Sequence, residues 1–359
     1  NNPVPGILES GKAERGARKA VRTEVAWVDP QKPEGEAIAR AAQMLRRGEL
    51  VAFPTETVYG LGANALDAAA VARIYAVKGR PASNPLIVHV AEAGAAREIV
   101  MAWPEAAARL AARFWPGPLT LVLPKRDVIP EIVTAGGPTV AVRVPAHPVA
   151  RALLIAAAVP VAAPSANRSL RLSPTQAAHV LRSLRGRIPL ILDGGPATGG
   201  LESTVLDLTA SPPRLLRPGL VTPADIEAVI GPIGRGAKPA EDRPLPSPGM
   251  MARHYAPRAP LEIQTGAAAS DRVRALLAQG EAVGWLTFTD SDLEPPGLTV
   301  LVMPAEPEAY AARLYAALHA LDAAGVTRIV VDLPPEDENW LAARDRLRRA
   351  TAIEGPNGA

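Results

Sequence analysis

Proline sets the terms on which this chain can fold. It carries 38 prolines and 29 glycines in 359 residues, and many of them close short apolar runs. A proline has a fixed φ and no backbone donor, so it neither continues a helix nor sits inside a central strand. Runs such as "LVAFP", "LTLVLP", "TVAVRVP" and "VPVAAPS" therefore read as short strands that stop where polar residues begin. Apolar residues make up 48% of the chain and recur throughout, which separates it from a disordered proline-rich sequence. Aromatics are only 4%, so the cores have to be built from Ala, Val, Leu and Ile.

Amphipathic stretches lie between these runs. "EGEAIARAAQMLRRGEL" has helical spacing and stops at Gly48, and "ALDAAAVARIYAVKG" stops at Gly79. "PEAAARLAARFWPG" and "HPVARALLIAAA" are further helices. "SPTQAAHVLRSL" is a helix whose start is marked by Ser173 and Pro174, and "TPADIEAVIG" has Thr222 as cap and Pro223 at the first position. "PLIVHV", "IPLILDGG", "STVLDLT" and "RLLRPG" are strands. Strands and helices mix without strict βαβ alternation, so residues 25–231 are expected to form one α/β unit on a mixed, twisted open sheet with flanking helices. Residues 232–259, dense in Pro and Gly, read as a linker or a long ordered loop. Strands and helices then alternate again over 260–359, which implies a smaller parallel three-layer domain. Residues 1–24 read as a basic, poorly ordered extension without the apolar centre of a signal peptide. No apolar stretch reaches membrane-spanning length, and a cytoplasmic location is expected.

Several chemistries are excluded. The chain has no cysteine, which removes disulfides, thiolate metal sites and a Cys nucleophile. The five histidines, His89, His147, His179, His254 and His319, lack ligand spacing, so no protein-held metal is expected. No phosphate-binding P-loop and no G-x-S-x-G elbow are present. Gly60, Gly62 and Ala65 make a G-x-G-x-x-A match, but no acidic residue follows at the distance a dinucleotide site requires. A net charge of +3 and a pI near 9.3 suit anionic ligands without forming a polybasic nucleic-acid signature.

What remains is a set of polar residues at strand ends, where open α/β sheets bind ligands. "PTETVYG" follows the strand at 50–53, and "KGRPASNPL" precedes the strand carrying His89. "APSANRSLRLSPT" and "DGGPATGGLESTV" follow two more strands, and Arg217 in "LLRPG" ends another. Each has a plain structural reading: Thr55 and Thr57 as turn residues, Lys78 and Arg80 as solvated cations at a helix end, Ser173 as a helix cap, His89 as a core histidine. Arg143 is different. It sits inside an apolar run and needs an anionic partner, either a ligand or a structural carboxylate. Taken together, Lys78, Arg80 and Arg143 suit a substrate with several negative charges, because Arg recognises phosphate and carboxylate bidentately. Asn84, Ser165 and Ser173 suit ribose, phosphate or purine edges. A nucleoside triphosphate with a small carboxylate fits this set, and catalysis would proceed by positioning and charge stabilisation.

"PTETVYGLGANA", "KGRPASNPLIVHV", "FWPGPLTLVL", "VAVRVPAHPVARAL", "PVAAPSANRSLRLSPT", "ESTVLDL" and "LLRPG" resemble, in that order, the blocks of the YrdC-like threonylcarbamoyl-AMP synthases. "SPGMMARHYAPRAPL" resembles the linker of their two-domain form, whose second domain is Rossmann-like. The resemblance implies that L-threonine and bicarbonate or CO2 give N-carboxythreonine, which attacks the α-phosphorus of ATP and releases pyrophosphate. A downstream tRNA threonylcarbamoyl transferase complex then modifies adenosine beside the anticodon. Mg2+ accompanies ATP, held largely by the phosphates; weak RNA binding is an expectation separate from the resemblance. Carried over position by position, Lys78, Arg80 and Arg143 act in catalysis. Thr57, His89, Arg143, Ser203 and the backbone at Ala163 surround threonine. Lys78, Arg80, Asn84, Thr139, Ser165, Asn167, Ser173, Arg217 and Tyr255 hold ATP, with Tyr255 folding back over the nucleotide and the linker, with Met250 and Met251, as an ordered lid. Three other readings stand beside this one: a non-catalytic RNA-binding module, a carbamoyl-adenylate enzyme using carbamoyl phosphate, and a regulator sensing a ligand through the second domain.

Overall fold

The prolines do cut the strands short. In the computed structural model, which describes residues 21–235, 255–289 and 295–351, strand β2 ends at Phe53 before Pro54 and β7 ends two residues before Pro164. The first unit comprises β1 (Glu24–Trp27), α1 (Glu36–Arg46), β2 (Val51–Phe53), β3 (Gly60–Asn64), α2 (Ala68–Lys78), β4 (Ile87–His89), α3 (Ala93–Arg97) and α4 (Glu105–Phe114). It continues with β5 (Leu119–Pro124), β6 (Thr139–Arg143), α5 (Pro148–Ala157), β7 (Val161–Ala162), α6 (Ala177–Leu184), β8 (Leu190–Asp193), β9 (Thr204–Asp207), β10 (Arg214–Arg217), α7 (Pro223–Ile230) and β11 (Gly234–Arg235). These strands form one 11-stranded sheet in the order β1-β8-β2-β3-β7-β4-β6-β5-β9-β10-β11. Its pairings are mixed: β2–β3 and β4–β7 are antiparallel, β4–β6 and β5–β9 parallel. The sheet starts at Glu24 and runs on to Arg235, a little beyond the expected limits at both ends.

Local chemistry explains several boundaries. Asp67 caps α2 by accepting from the backbone N–H groups of Ala69 and Ala70, and Gly79 ends it at φ +62, where a side chain would be strained. Thr222 and Asp225 form the reciprocal capping box that opens α7 behind Pro223. α6 departs from expectation. It begins at Ala177 rather than at Ser173, because the Ser173 hydroxyl is committed to the Glu202 carboxylate instead of to a helix N-terminus.

The G-x-G-x-x-A stretch is also not a nucleotide loop. It is β3, paired antiparallel to β2, and its glycines answer a packing demand. A Cβ on Gly62 would lie 2.8 Å from both the Phe53 ring and Val161 Cγ1.

The second unit contains β12 (Leu261–Gln264), α8 (Ala267–Ala278), β13 (Val283–Thr287), β14 (Leu298–Val302), α9 (Pro307–Ala324), β15 (Arg328–Asp332) and α10 (Leu341–Thr351). Its four strands are all parallel, in the order β12-β15-β13-β14. α8 packs on one face through Ala269, Val273 and Leu276, and α9 and α10 pack on the other through Leu314, Leu318 and Leu347. The three layers are those expected. Among the described residues no helix is long and apolar enough to cross a membrane. Residues 1–20 and most of the expected linker, including Met250 and Met251, lie outside the described residues.

Gly62→Ala is expected to cost about 1–3 kcal/mol through overpacking against Phe53 and Val161. A fall of several degrees in melting temperature checks it, and an unchanged melting temperature would show that the β2–β3–β7 contact yields more easily than its geometry implies.

Candidate active site

The strand ends converge on one cavity. It is lined by Thr55, Thr57, Val58 and Gly60 from the β2–β3 connection, Arg80 from the loop after α2, Ile87 and His89 from β4, and Arg143 from the end of β6. Ala163, Pro164 and Ser165 after β7, Glu202 and Ser203 before β9, Arg217 from β10, and Tyr255 complete the wall. The space left inside is only about 50 Å³.

The β2–β3 turn is tied by Thr55, whose Oγ1 accepts from the backbone N–H groups of Thr57 and Val58 and donates to the Val58 carbonyl. This fixes Thr57, which accepts from Arg143 Nη1 at 2.9 Å. Arg143 also donates through Nε to the Gly117 carbonyl, and its Nη2 lies 2.6 Å from Glu56 Oε1. The cation that stood out within an apolar run thus has a structural carboxylate as partner, drawn from the turn two strands away. The contact is close but poorly angled, so neither Glu56 oxygen makes a well-directed hydrogen bond. Arg143 and His89 are register partners on β6 and β4. Burial and the neighbouring Arg143 push His89 down to about 3, so it is a neutral imidazole, and its Nδ1 has no hydrogen-bond partner among the described residues.

The opposite wall carries Ser203, whose Oγ meets Thr120 Oγ1 at 2.8 Å and accepts from Arg217 Nη2 at 3.1 Å. Arg217 Nε donates to the Ser203 carbonyl, and the Arg217 guanidinium is also hydrogen-bonded to Tyr255. Tyr255 is fully buried and holds a positive φ of 64°. Arg80 donates to the Asn84 carbonyl, to Asn84 Oδ1 at 2.6 Å and to the Pro85 carbonyl. Burial lowers Arg80 to about 10, the mark of a cation short of counter-charge.

Not every expected residue reaches the wall. Lys78 lies behind it: its Nζ donates to the Ser165 and Asn167 carbonyls, and burial, with Arg80 nearby, pushes its pKa well down. It props the loop that carries Ser165. Asn167 stiffens the same loop by donating to the Arg168 and Arg171 carbonyls. Asn84 braces Arg80, Ser173 binds Glu202, and Thr139 sits at the start of β6. Thr57, Arg80, His89, Arg143, Ala163, Ser165, Ser203, Arg217 and Tyr255 do line the cavity.

One anchor comes from the second unit. Glu202 accepts from Ser173, from Tyr315 on α9 at 3.1 Å and from Arg346 Nε on α10 at 2.7 Å. Arg346 is 1% exposed, stacks over the Tyr255 ring at 5.2 Å and donates to the Pro218 carbonyl. Burial alone would raise the Glu202 carboxyl, but Arg346, Arg217 and Ser173 outweigh it and hold it below the usual carboxylate range. A signal for Arg346 was present: it shares the apolar stripe of α10 with Ala343, Leu347 and Ala350.

Two family models match the chain, one described as telomere recombination over residues 43–219 and one as threonylcarbamoyl-AMP synthase, C-terminal domain, over 221–352. The threonylcarbamoyl-AMP synthase of Bacillus subtilis is 46% identical, covering 92% of this chain and 95% of its own length. That of Pyrococcus abyssi is 45% identical, covering 87% and 93%. A crystal structure of P. abyssi Sua5 complexed with L-threonine matches with a TM-score of 0.84 at 42% identity, covering 91% of this chain and 97% of that one.

Arg346→Met leaves Glu202 buried and unpaired, and is expected to cost about 3–5 kcal/mol. The double variant Glu202→Gln, Arg346→Met should recover much of that loss in a thermal melt; no recovery would mean that Arg346 acts through packing rather than charge. His89, His179 and His319 are held near 3, 3 and 4, each chiefly by burial. The unfolded chain binds their protons first, from about pH 6.5 downward, so stability rises with pH across that window. The melting temperature should fall as pH drops from 7 toward 4, and His89→Gln should flatten the slope by about one proton.

Proposed function

The chain belongs to the threonylcarbamoyl-AMP synthase family, and we infer that it makes L-threonylcarbamoyl-AMP from L-threonine, bicarbonate or CO2 and ATP, releasing pyrophosphate. The observation that carries this reading to the chain's own residues is the pairing of a neutral histidine, two threonines and a buried arginine on one wall with two further arginines on the other. The first set suits a hydroxylated amino acid. The second suits a triphosphate.

In the proposed arrangement Arg143 takes the threonine carboxylate, with Thr57, His89, Ser203 and the Ala163 backbone around the rest of the amino acid. The unpartnered His89 Nδ1 accepts a polar hydrogen of threonine, as a neutral ring can. Arg80, Ser165, Arg217 and Tyr255 face the nucleotide, while Lys78, Asn84, Asn167 and Ser173 shape that wall from behind and Thr139 lies further out on β6. A carboxylate oxygen of N-carboxythreonine attacks the α-phosphorus. The P–O bond to the β-phosphate breaks, and pyrophosphate leaves with the electron pair. Preorganised guanidinium groups stabilise the charge that moves along this line, so no covalent enzyme intermediate is needed.

Magnesium would enter on the ATP phosphates. The carboxylates at the cavity, Glu56 and Glu202, are each engaged by an arginine, and the described residues offer no group of three or more His, Cys, Asp or Glu for a metal. The product would pass to a tRNA-modifying transferase. A cavity of about 50 Å³ does not hold ATP, so Tyr255 has to move away from Arg217 for the nucleotide to enter.

The test is pyrophosphate release from purified protein with ATP and bicarbonate, with L-threonine present or omitted. Threonine-dependent release, with serine much poorer, is expected; release that ignores threonine would sink the assignment. Arg80→Ala should abolish turnover while the protein stays folded, with a melting temperature lowered by a few degrees through loss of the hydrogen bonds to Asn84 and Pro85.

A further inference from the structure

A second cavity, of about 280 Å³, opens at the seam between the two units. Arg168 and Arg171 reach it from the loop that carries Ser165 and Ser173, Arg182 from α6, Arg187 from just beyond α6, and Arg258 from the segment that enters the second unit. Their guanidinium groups form no ion pair among the described residues. The one carboxylate on the wall, Asp322 of α9, directs both oxygens to the backbone N–H of Arg258. His179 and His319 stack with ring centroids 3.8 Å apart, and burial keeps both neutral. His319 Nε2 donates to the Ser173 carbonyl, and His179 Nδ1 accepts from the Thr175 backbone N–H. The histidines thus brace the wall without adding charge or offering a counter-ion.

All five arginines are solvent-exposed, and with a single acid on the wall they give the concavity a positive potential. Such a potential attracts anions, and guanidinium forks match phosphate oxygens bidentately. We propose that this seam cavity binds a phosphate-bearing anion with two or more adjacent phosphates. The cavity is roomy enough for several phosphate groups and carries a large net positive charge, so a single phosphate would underfill it. Inorganic diphosphate and an RNA backbone both present this chemistry. The occupant would touch the Ser165–Ser173 loop, the chain leaving Tyr255 and helix α9. The site stands on its own geometry; only the idea that diphosphate comes from the chain's own reaction rests on the function proposed above.

The experiment uses the full chain saturated with L-threonine and a non-hydrolysable ATP analogue, so that the catalytic cavity is filled. Binding of radiolabelled inorganic diphosphate is measured by equilibrium dialysis, and binding of a short RNA duplex by fluorescence anisotropy. At least one probe is expected to bind, with an affinity that drops steeply as salt rises. Arg182→Glu with Arg187→Glu should weaken it by about tenfold or more, while turnover and the KM for ATP stay unchanged. Arg182→Gln with Arg187→Gln, which removes charge without reversing it, should give an intermediate loss and guards against a folding defect in the first variant. Diphosphate binding alone identifies a small-anion site, and RNA binding alone a nucleic-acid contact; either supports the proposal. Binding of neither probe, or equal binding by parent and both variants, overturns it. Failure of the analogue to bind would count against the proposed function instead, and the comparison of variants would still read the seam.

Discussion

A carboxylate buried across a domain seam holds this molecule together at its working end. Glu202 belongs to the catalytic sheet, yet two of its partners, Arg346 and Tyr315, belong to the second unit. Burying one charge without the other would be severely unfavourable, so the two units are not free to separate without exposing both. The pair also lies where it matters. Ser173 binds the same carboxylate, Ser203 follows it in the chain, and Arg346 stacks on Tyr255. The second unit therefore braces two residues that line the candidate cavity, Glu202 and Tyr255.

The cavity obeys the same rule throughout. Arg143 and Arg217 sit at strand ends and Arg80 in the loop after α2, and backbone carbonyls of Gly117, Ser203, Asn84 and Pro85 hold them. Such contacts orient a guanidinium without neutralising it, and Arg143 has the Glu56 carboxylate in addition. A site built this way has its electrostatics in place before substrate arrives, which suits transfer at phosphorus, where there is little covalent work for a protein to do.

Much of this was legible in the sequence, and the gaps have physical causes. Proline and glycine punctuation located most strands and helices, and the loss of strict alternation foretold a mixed sheet. Arg143 stood out because a cation in an apolar run requires an anion, though only the fold could supply Glu56 as its partner. The sequence could not show that Lys78, at the end of α2, props the Ser165 loop, because those contacts reach some ninety residues along the chain. Gly60 and Gly62 resembled a phosphate loop because glycine marks close approach of any kind, here of Phe53 and Val161 rather than a phosphate. Arg346 went unnoticed because its partner lies 144 residues away in the chain.

The Arg143–Glu56 contact has a consequence for how the amino acid is received. Arg143 already faces a carboxylate, close but badly angled. In the arrangement proposed above, a threonine carboxylate arriving there would not add a charge pair to the site; it would take the place of one. Binding would then be an exchange of one anion for a better-fitting one, with the displaced Glu56 free to meet the incoming ammonium group. Discrimination would rest on the difference between two fits, and Arg143 would not stand bare while it waits.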